Sequence, residues 1–490
     1  MGRRALLAWC ACLAACGGAT PPAESTASVV VAWPQGATTL SPDDNLEEFT
    51  IGLQRNLYDT LIDSDGSALR PGLAESWATP DDHTWIFRLR RGVRLHDGRS
   101  LDASHVVACL QWAWTRQASA SALPAVVSAE ATDERTVLVR TQAPFATLAV
   151  RVAGVAIWAP PLRKGGAPVG SGPYRVVRFT PGGDAVLEAF EDHWRGAPSV
   201  RRLEFRSVPR VEERLRLLKK GEVQLVPDVP AGELASLARQ PGLKTLARRG
   251  LRVVFLGMDQ GASPFRDVAI RRAVRAAIDR PALVADALGG QAEAVAQIVA
   301  PEVFGHDSTL QALAADAEAA RPLRAIGQRA PVLDLDFPTG KYRAIEAVAQ
   351  RVAADLTAAG LPVRPRPRHW KEWDAARDRR ELRLFLMGWM AVNDATASFE
   401  FLFHSPAGAF GVENVFGYAN PEVDRLIEEA PQLLDASQRL EILYRVARRV
   451  HDDVPLVPLY RQLDLYATAA NLRFEPRPDR VILGHALAID

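Results

Sequence analysis

The placement of the cysteines limits how this chain can be held together. Three of the four, Cys10, Cys12 and Cys16, lie in a short N-terminal stretch, and the fourth is Cys109. Removal of a leader ending at Cys16 leaves too few cysteines for a disulfide framework, so the fold must rest on its hydrophobic cores. Cys109 itself lies in the run VVACL and is predicted to be a small buried hydrophobic residue.

The N-terminal stretch has the features of an export signal. Arg3 and Arg4 precede an apolar run at 5–13 that is too short to cross a bilayer, and the run ends in LAACGG around Cys16. This pattern resembles the bacterial lipobox, in which the cysteine becomes the lipidated first residue of the mature protein. An ordinary signal peptide that happens to contain cysteine is the alternative. We predict a signal peptide at 1–16 and a flexible tether at 17–27, where small residues and proline dominate.

Length and charge exclude several classes of protein. The 490 residues are enough for two or three domains, and 48% hydrophobic with 24% charged residues is typical of a globular chain. A net charge of +1 gives no reason to expect nucleic acid or an acidic membrane as the main partner.

Local patterns predict a mixture of strands and helices. A first strand is expected at 29–33, and alternating Trp85, Phe87 and Leu89 predict another strand, which we interpret as the first half of a hairpin returning at 93–95. Four helices have N-cap signals that precede an apolar periodicity or a proline at the first helical position. The four N-cap residues are Asp102, Asp267, Asp279 and Asn420.

The chain carries none of the common short catalytic motifs. It has no His-Glu-x-x-His, no Gly-x-Ser-x-Gly and no phosphate-binding glycine-rich loop, and its nine histidines are scattered. We therefore predict no catalytic residue, no metal site and no cofactor. Missing motifs do not by themselves exclude an enzyme, because catalytic triads are defined by geometry rather than spacing.

Several segments together resemble a known family, the extracytoplasmic solute-binding proteins of peptide- and nickel-type ABC importers. The most specific is the stretch from 69 to 107, which reads LRPGLAESW, then DDHTWIFRLR, GVRLHDG and LDASHVV. The similarity extends to five further segments: NLYDTL at 56–61, GSGPY at 170–174, the helix at 265–280 ending in AIDR, GW at 388–389, and NPEVD at 420–424.

This resemblance implies an α/β, two-lobed periplasmic binding protein fold of type II, cluster C, with an accessory domain and a cleft between the lobes. Lobe I would be discontinuous and the solute would be enclosed by hinge closure. The implied ranges are 28–56, 170–258 and 462–490 for lobe I, 57–169 for the accessory domain, and 259–461 for lobe II.

The resemblance also implies a place for the solute. Peptide-binding members carry an acidic residue after the Gly-Trp pair that holds the peptide's amino group. Here the nearest acid is Asp394, displaced by one position, so it either serves this role or only caps the helix that follows. Trp33, Trp389 and Asn393 are the other candidates for the cleft, with a core position as the alternative for each tryptophan.

The function implied is capture of an oligopeptide or peptide-like solute, without catalysis, for an ABC permease and its ATPase. The protein would be a monomeric lipoprotein outside the cytoplasm, held to the membrane through Cys16. Two alternatives remain open: a surface lipoprotein of the same fold acting as sensor or chaperone, or a protein that binds a non-peptide solute. An enzyme on this scaffold would need titratable groups in hydrogen-bond contact within the cleft.

Overall fold

The structure is a computed structural model, and it describes residues 27–42, 47–115, 125–159, 169–328 and 331–490. The predicted signal peptide with Cys16, and the tether up to residue 26, lie outside the described residues. Within the described ranges, no helix combines the length and apolar character that a bilayer crossing requires.

Strands account for much of the described chain. In order they are β1 (Ser28–Trp33), β2 (Ile62–Ser64), β3 (Leu69–Pro71), β4 (Ala74–Asp81), β5 (Thr84–Leu89), β6 (Val126–Asp133), β7 (Thr136–Thr141), β8 (Tyr174–Phe179), β9 (Ala185–Ala189), β10 (Arg202–Ser207), β11 (Leu225–Pro227), β12 (Leu243–Met258), β13 (Ala292–Ala294), β14 (Leu333–Thr339), β15 (Val363–His369), β16 (Leu384–Met390), β17 (Leu456–Ala469), β18 (Leu472–Arg473) and β19 (Ala488–Ile489).

Helices alternate irregularly with the strands. They are α1 (Glu48–Leu57), α2 (Ala103–Trp114), α3 (Leu148–Val152), α4 (Val211–Lys219), α5 (Leu234–Ala238), α6 (Val268–Ala277), α7 (Arg280–Leu288), α8 (Pro322–Gly327), α9 (Ile345–Ala358), α10 (Trp370–Asp378), α11 (Ala395–Leu402), α12 (Pro421–Glu429) and α13 (Ala436–Asp453).

The predicted helix starts are confirmed. Asp102, Asp267, Asp279 and Asn420 each cap the helix that follows, because the side-chain oxygen accepts a hydrogen bond from a backbone N–H of the first turn. Cys109 lies on the inner face of α2 and is 1% exposed, also as predicted.

The predicted hairpin is wrong in its second half. Strand β5 is present, and Trp85, Phe87 and Leu89 are buried as the alternation indicates. Its partners, however, are β4 and β7, in a four-stranded sheet of order β4-β5-β7-β6. Residues 93–95 form no strand, and Arg94 makes only an isolated bridge to Ser100. Alternation identifies a strand, but it does not identify the strand's partner.

One large sheet connects the two lobes. Its order is β15-β14-β16-β12-β17-β11-β1-β10-β9-β8, with β13 added beside β17. The first half of β12 pairs with the second half of β17, next to β11 and β1. The second half of β12 pairs with β16 and the start of β17, and the register shifts between Arg249 and Val253. Strands β12 and β17 therefore run through both lobes.

The hydrophobic cores show where the packing changes. The segments predicted as lobe I and the accessory domain share one core, which contains Val31 of β1 and Phe87 of β5. Val254 and Phe255 of β12 belong instead to the two cores that cover the faces of lobe II. The predicted lobe boundaries stay a prediction, but the packing changes near Gly250, earlier than the boundary at 258.

Candidate functional site

Several strand ends mark the space between the lobes. Strand β1 ends at Trp33 in lobe I, while the parallel strands β14 and β16 end at Thr339 and Met390 in lobe II. In α/β sheets, ligands bind outside the carboxyl ends of parallel strands, where side chains from the connecting segments converge. Trp33 and Trp389 lie at these strand ends, and Asn393 and Asp394 follow the end of β16. Several residues that the sequence analysis did not single out lie nearby.

Trp33 forms an aromatic wall on the lobe I side. It is 4% exposed, and its ring stacks on Phe205 with the centroids 4.1 Å apart. Phe49 of α1 lies against it at a centroid distance of 5.3 Å. Trp33 is thus both a core residue and a lining residue, since it borders a small cavity together with Glu48 and Arg480.

A buried charge cluster connects the lobes beside this wall. Glu48, at the start of α1, forms ion pairs with Arg252 of β12 and, at 2.6 Å, with Arg480. Arg480 also contacts Asp464 of β17 and, at 2.7 Å, Asp228. Because Arg252 lies past the point where β12 changes lobes, the pair between Glu48 and Arg252 is a contact across the cleft.

The cluster shifts the acidity of its members in opposite directions. Burial opposes the ionisation of Glu48, but the charges of Arg252 and Arg480 outweigh it and hold the pKa of Glu48 well below its usual range. For Asp464, burial is the stronger influence and raises the pKa to about 6, against the opposing charge of Arg480. Oδ2 of Asp464 accepts no hydrogen bond within the described protein, which leaves this carboxylate incompletely satisfied.

Lys341 brings a positive charge to the lobe II side. It follows β14, and its Nζ lies 4.1 Å from the centroid of the Trp370 ring. Burial lowers the pKa of Lys341, and the nearby carboxylate of Glu48 opposes this shift. Within the described part of the chain, no ion pair joins this ammonium to a carboxylate. A half-buried cation that lies against an aromatic face can hold the anionic group of a ligand through its charge and its N–H donors.

Trp389 lies near the end of β16, and Asn393 follows the end of this strand. The Trp389 indole N–H donates to Ser398 Oγ at 2.9 Å, and its ring meets Phe401 edge-on. Asn393 has a positive φ of 60° and contacts the segment predicted as the accessory domain. Its N–H donates to the carbonyl of Gly66, and its Oδ1 accepts from Ser64 Oγ, both at 2.6 Å.

Asp394 acts as the N-cap of α11. It is 3% exposed, and its Oδ1 accepts from the N–H and the hydroxyl of Thr396 at 2.8 and 2.6 Å. The other oxygen lies 3.3 Å from Arg439. The helix-cap interpretation therefore describes what this carboxylate does in the structure, and its pairing with a solute's amino group stays a prediction.

The comparisons with known proteins decide the family. The model for the middle region of bacterial extracellular solute-binding proteins of family 5 matches residues 68–410. The chain belongs to this family. Among curated relatives of this family 5 protein, a probable di/tripeptide-binding protein 5 of Pseudomonas aeruginosa is 27% identical, covering 88% of this chain and 92% of the relative. The dipeptide-binding protein of Escherichia coli is 25% identical, over 81% of this chain and 82% of the relative.

Solved structures confirm the two-lobed architecture of the family 5 protein. The ABC transporter substrate-binding protein CtaP from Listeria monocytogenes superimposes with a TM-score of 0.85 at 19% identity, covering 94% of this chain and 99% of that one. The oligopeptide-binding protein AppA from Bacillus subtilis, solved with a nonapeptide, has a TM-score of 0.81 at 19% identity, with the same coverage. At these identities the structures establish the fold alone.

Sequence reasoning missed the charged half of this family 5 site. Glu48, Arg252, Lys341 and Arg480 stand in no recognisable motif, and Arg480 lies 432 positions from its partner Glu48. The available signal was weak, since an acidic residue in the first turn of a helix is common for electrostatic reasons alone. Among the described residues, histidine, cysteine and carboxylate side chains form no group of three suited to a metal ion.

Replacement of Asp394 by asparagine separates its two possible roles. The change is expected to lower the free energy of unfolding by about 1–3 kcal/mol, because Arg439, whose side chain is 13% exposed, loses its counter-ion while the cap is largely retained. Chemical denaturation measures this loss. Asp435→Asn, the same change at the exposed N-cap of α13, is the matched control and should cost much less.

Binding of free and N-acetylated dipeptides to the same variants is compared in parallel. If Asp394 also holds an amino group, Asp394→Asn loses the preference for the free peptide, because the charged partner of that group is gone. An unchanged preference would leave Asp394 a cap only.

Proposed function

We propose that this protein captures a peptide or peptide-like solute between its two lobes and delivers it to an ABC permease, without catalysing a reaction. The observation that carries the proposal is the site between the lobes. There, aromatic rings, the charge cluster around Glu48 and the ammonium of Lys341 lie together near the strand ends. Support comes from relatives whose names specify dipeptides and tripeptides. The proposed partners are the permease and its ATPase, and the binding protein itself would be a monomer.

The sheet supplies a hinge for closure. Only β12 and β17, among the described strands of the large sheet, extend through both lobes, and the register shift in β12 lies at the crossing. Arg461 of β17 connects the two strands to their neighbours at this crossing. Its Nε donates to the carbonyl of Gly250 at 2.6 Å, and its Nη2 lies 2.8 Å from Glu302. Two paired strands resist shear but permit bending, which suits rotation of one lobe about the other.

Each lobe would supply part of the solute's environment. We assign Trp33 to the lobe I wall, and Trp389, Asn393 and Asp394 to the lobe II wall. Lys341, stacked on Trp370, would bind a carboxylate of the solute, since no protein carboxylate in the described residues neutralises it at contact distance. A peptide offers such a carboxylate at its C-terminus.

A thermal-shift screen tests the proposal. Mixtures of dipeptides and tripeptides are expected to raise the melting temperature saturably, because a ligand at about 100 times its Kd stabilises the native state by about 2.7 kcal/mol. Lys341→Met is expected to weaken binding of free dipeptides by about tenfold or more while affecting C-terminal amides little, as measured by calorimetry. The exposed Lys220→Met is the matched control. If no peptide mixture gives a shift at any concentration, the peptide assignment is overturned.

A non-peptide solute is the second candidate. The relatives include a heme-binding protein of Haemophilus influenzae, and similar structures were solved with a nickel–histidine complex and with agropinic acid. A carboxylate-bearing solute of this kind would still use Lys341. In the same screen, shifts with small organic acids but not with peptides would favour this candidate over the first.

We further propose that the mature protein is a lipoprotein outside the cytoplasm, anchored through Cys16 after cleavage of the leader. The LAACGG pattern supports this assignment. Cys16→Ala is expected to move the protein from the membrane fraction to the soluble fraction, because it removes the residue that would carry the lipid. Cys12→Ala, in the same leader, should leave the protein membrane-bound. Fractionation followed by immunoblotting measures both, and a Cys16→Ala protein that stays with the membrane contradicts the anchor.

A further inference from the structure

A single guanidinium group, that of Arg480, contacts three carboxylates of the buried charge cluster. Its Nε lies 2.6 Å from Glu48, its Nη2 lies 2.7 Å from Asp228, and its Nη1 contacts Asp464 of β17. Glu48 has a second cationic partner in Arg252, whereas the two aspartates form no second ion pair within the described residues. Three carboxylates thus share two guanidinium groups, and the cluster carries one negative charge in excess.

Asp464 is the carboxylate least able to carry this excess charge. It is 1% exposed, and its Oδ2 accepts no hydrogen bond within the described protein. This oxygen lies over Gly250, at the crossing of β12 between the lobes, where an added Cβ would overlap it. The side chain of Asp228 is 24% exposed, so water can solvate it instead. A buried carboxylate with one unsatisfied oxygen is costly as an anion.

The other charged and titratable groups that face Asp464 do not neutralise it. Arg248 is its cross-strand partner on β12, but no ion pair joins the two within the described ranges. The guanidinium of Arg343, near the start of α9, donates to two backbone carbonyls instead. Tyr466 of β17 stays neutral, because burial and the charge of Asp464 raise its pKa. Among the described residues, Arg480 alone is in ion-pair contact with Asp464.

We propose that closure of the lobes takes up one proton from solvent at Asp464, so that the solute is held more tightly at mildly acidic pH than at alkaline pH. This inference rests on the proposed function, because it concerns the affinity of the same cleft. The proton converts the carboxylate to a carboxylic acid and leaves two carboxylates for the two guanidinium groups. Because Arg480 donates to Oδ1, a proton on Oδ2 leaves that contact intact.

The direction of the pH dependence follows from the burial of this carboxylate. Burial raises the pKa of Asp464 to about 6, against the charges of Arg480 and Arg252. Opening of the lobes would break the pair between Glu48 and Arg252 and admit water, which returns the pKa towards its ordinary value of about 4. The closed form therefore binds the proton more tightly. This advantage of closure is present at low pH and is lost as the pH rises through about 6.

Binding of the dipeptide alanyl-alanine to the full protein tests this coupling. The Kd is expected to be about tenfold lower at about pH 5 than at about pH 7.5, and calorimetry in two buffers of different ionisation enthalpy should show net proton uptake. Asp464→Asn keeps an oxygen for Arg480 but carries no charge, so it should bind with the lower Kd at both pH values. Asp82→Asn, at an exposed turn, is the matched control and should keep the pH dependence.

The melting temperature without solute gives a second, independent readout. Asp464→Asn is expected to melt at a higher temperature than the unaltered protein at about pH 7.5 and at the same temperature at about pH 5, because only the ionised carboxylate is costly. If the dipeptide does not bind, the proposed function fails, while this melting comparison still decides the inference. If Asp464→Asn does not fold, the pH dependence and proton uptake of the unaltered protein decide.

Two results would overturn the proposal. In the first, Asp464→Asn melts lower than the unaltered protein by the same amount at both pH values, which would make Asp464 a permanently charged partner of Arg480. In the second, the unaltered protein binds the dipeptide with the same Kd at both pH values and without proton uptake.

Discussion

Replacement of Gly66 by alanine is expected to weaken solute binding by about tenfold or more. Gly66 has a φ of +88°, and an added Cβ would lie 2.8 Å from Leu251 Cδ1 and 3.0 Å from the Cβ of Asp479. The carbonyl of Gly66, in the predicted accessory domain, also accepts the hydrogen bond from Asn393 of lobe II. Displacing this turn by a few tenths of an ångström would therefore separate the predicted accessory domain from lobe II where they meet.

The control for Gly66 is Gly92, another glycine with a positive φ. Its φ is +71°, and an added Cβ would have nothing within 4 Å. Gly92→Ala should therefore carry only the backbone penalty, about 1 kcal/mol of stability, with the Kd for the solute unchanged. Calorimetry and chemical denaturation of both variants measure the two effects. Equal Kd values for the two variants would show that the contact between Gly66 and Asn393 does not govern closure.

Loss of either partner of the ion pair between Arg151 and Glu400 is expected to weaken solute binding more than the change at Gly66 does. Arg151 lies on α3 of the predicted accessory domain and Glu400 on α11 of predicted lobe II, and their side chains are 2% and 8% exposed. The pair joins the two lobes outside the cleft, because the accessory domain shares its core with lobe I. Nearby, the N–H of Ala146 donates to the carbonyl of Pro431 at 2.7 Å, a second contact between the same bodies.

Arg151→Met or Glu400→Gln is expected to weaken solute binding by about a hundredfold or more. Removing one partner of a buried pair costs about 3–5 kcal/mol, because the other charge stays buried without compensation. In the open form water reaches the remaining charge, so the cost falls mainly on closure and appears in the Kd. Calorimetry gives the Kd, and small-angle scattering with saturating solute shows whether the closed form is still reached.

A double variant and an exposed pair complete this experiment. Arg151→Met combined with Glu400→Met should restore much of the affinity, since two apolar side chains can replace a buried pair at little cost. Glu429→Gln, which breaks the exposed pair with Arg425 on α12, should change the Kd less than twofold. Single variants at Arg151 and Glu400 that bind as tightly as the unaltered protein would contradict the role of this pair in closure.

The features that could be predicted are local in sequence. An N-cap such as Asp102 bonds to N–H groups two and three positions ahead, so the residues themselves carry the signal. The failed hairpin marks the limit of this reasoning, because the partners of β5 are set by which strands the whole chain brings alongside. Trp33, Trp389 and Asn393 were selected through a family resemblance, and their contact with a solute stays a prediction.

The amino-acid sequence was enough to establish the helix starts and the resemblance to the family. The assembled fold was needed to show that Asp394 caps α11 beside Arg439, and that Glu48 joins Arg252 and Arg480. The physical reason is the range of the interactions. Helix caps and alternation act within a few residues, whereas the pair between Arg151 and Glu400 joins positions 249 apart and exists only after two separate cores have packed.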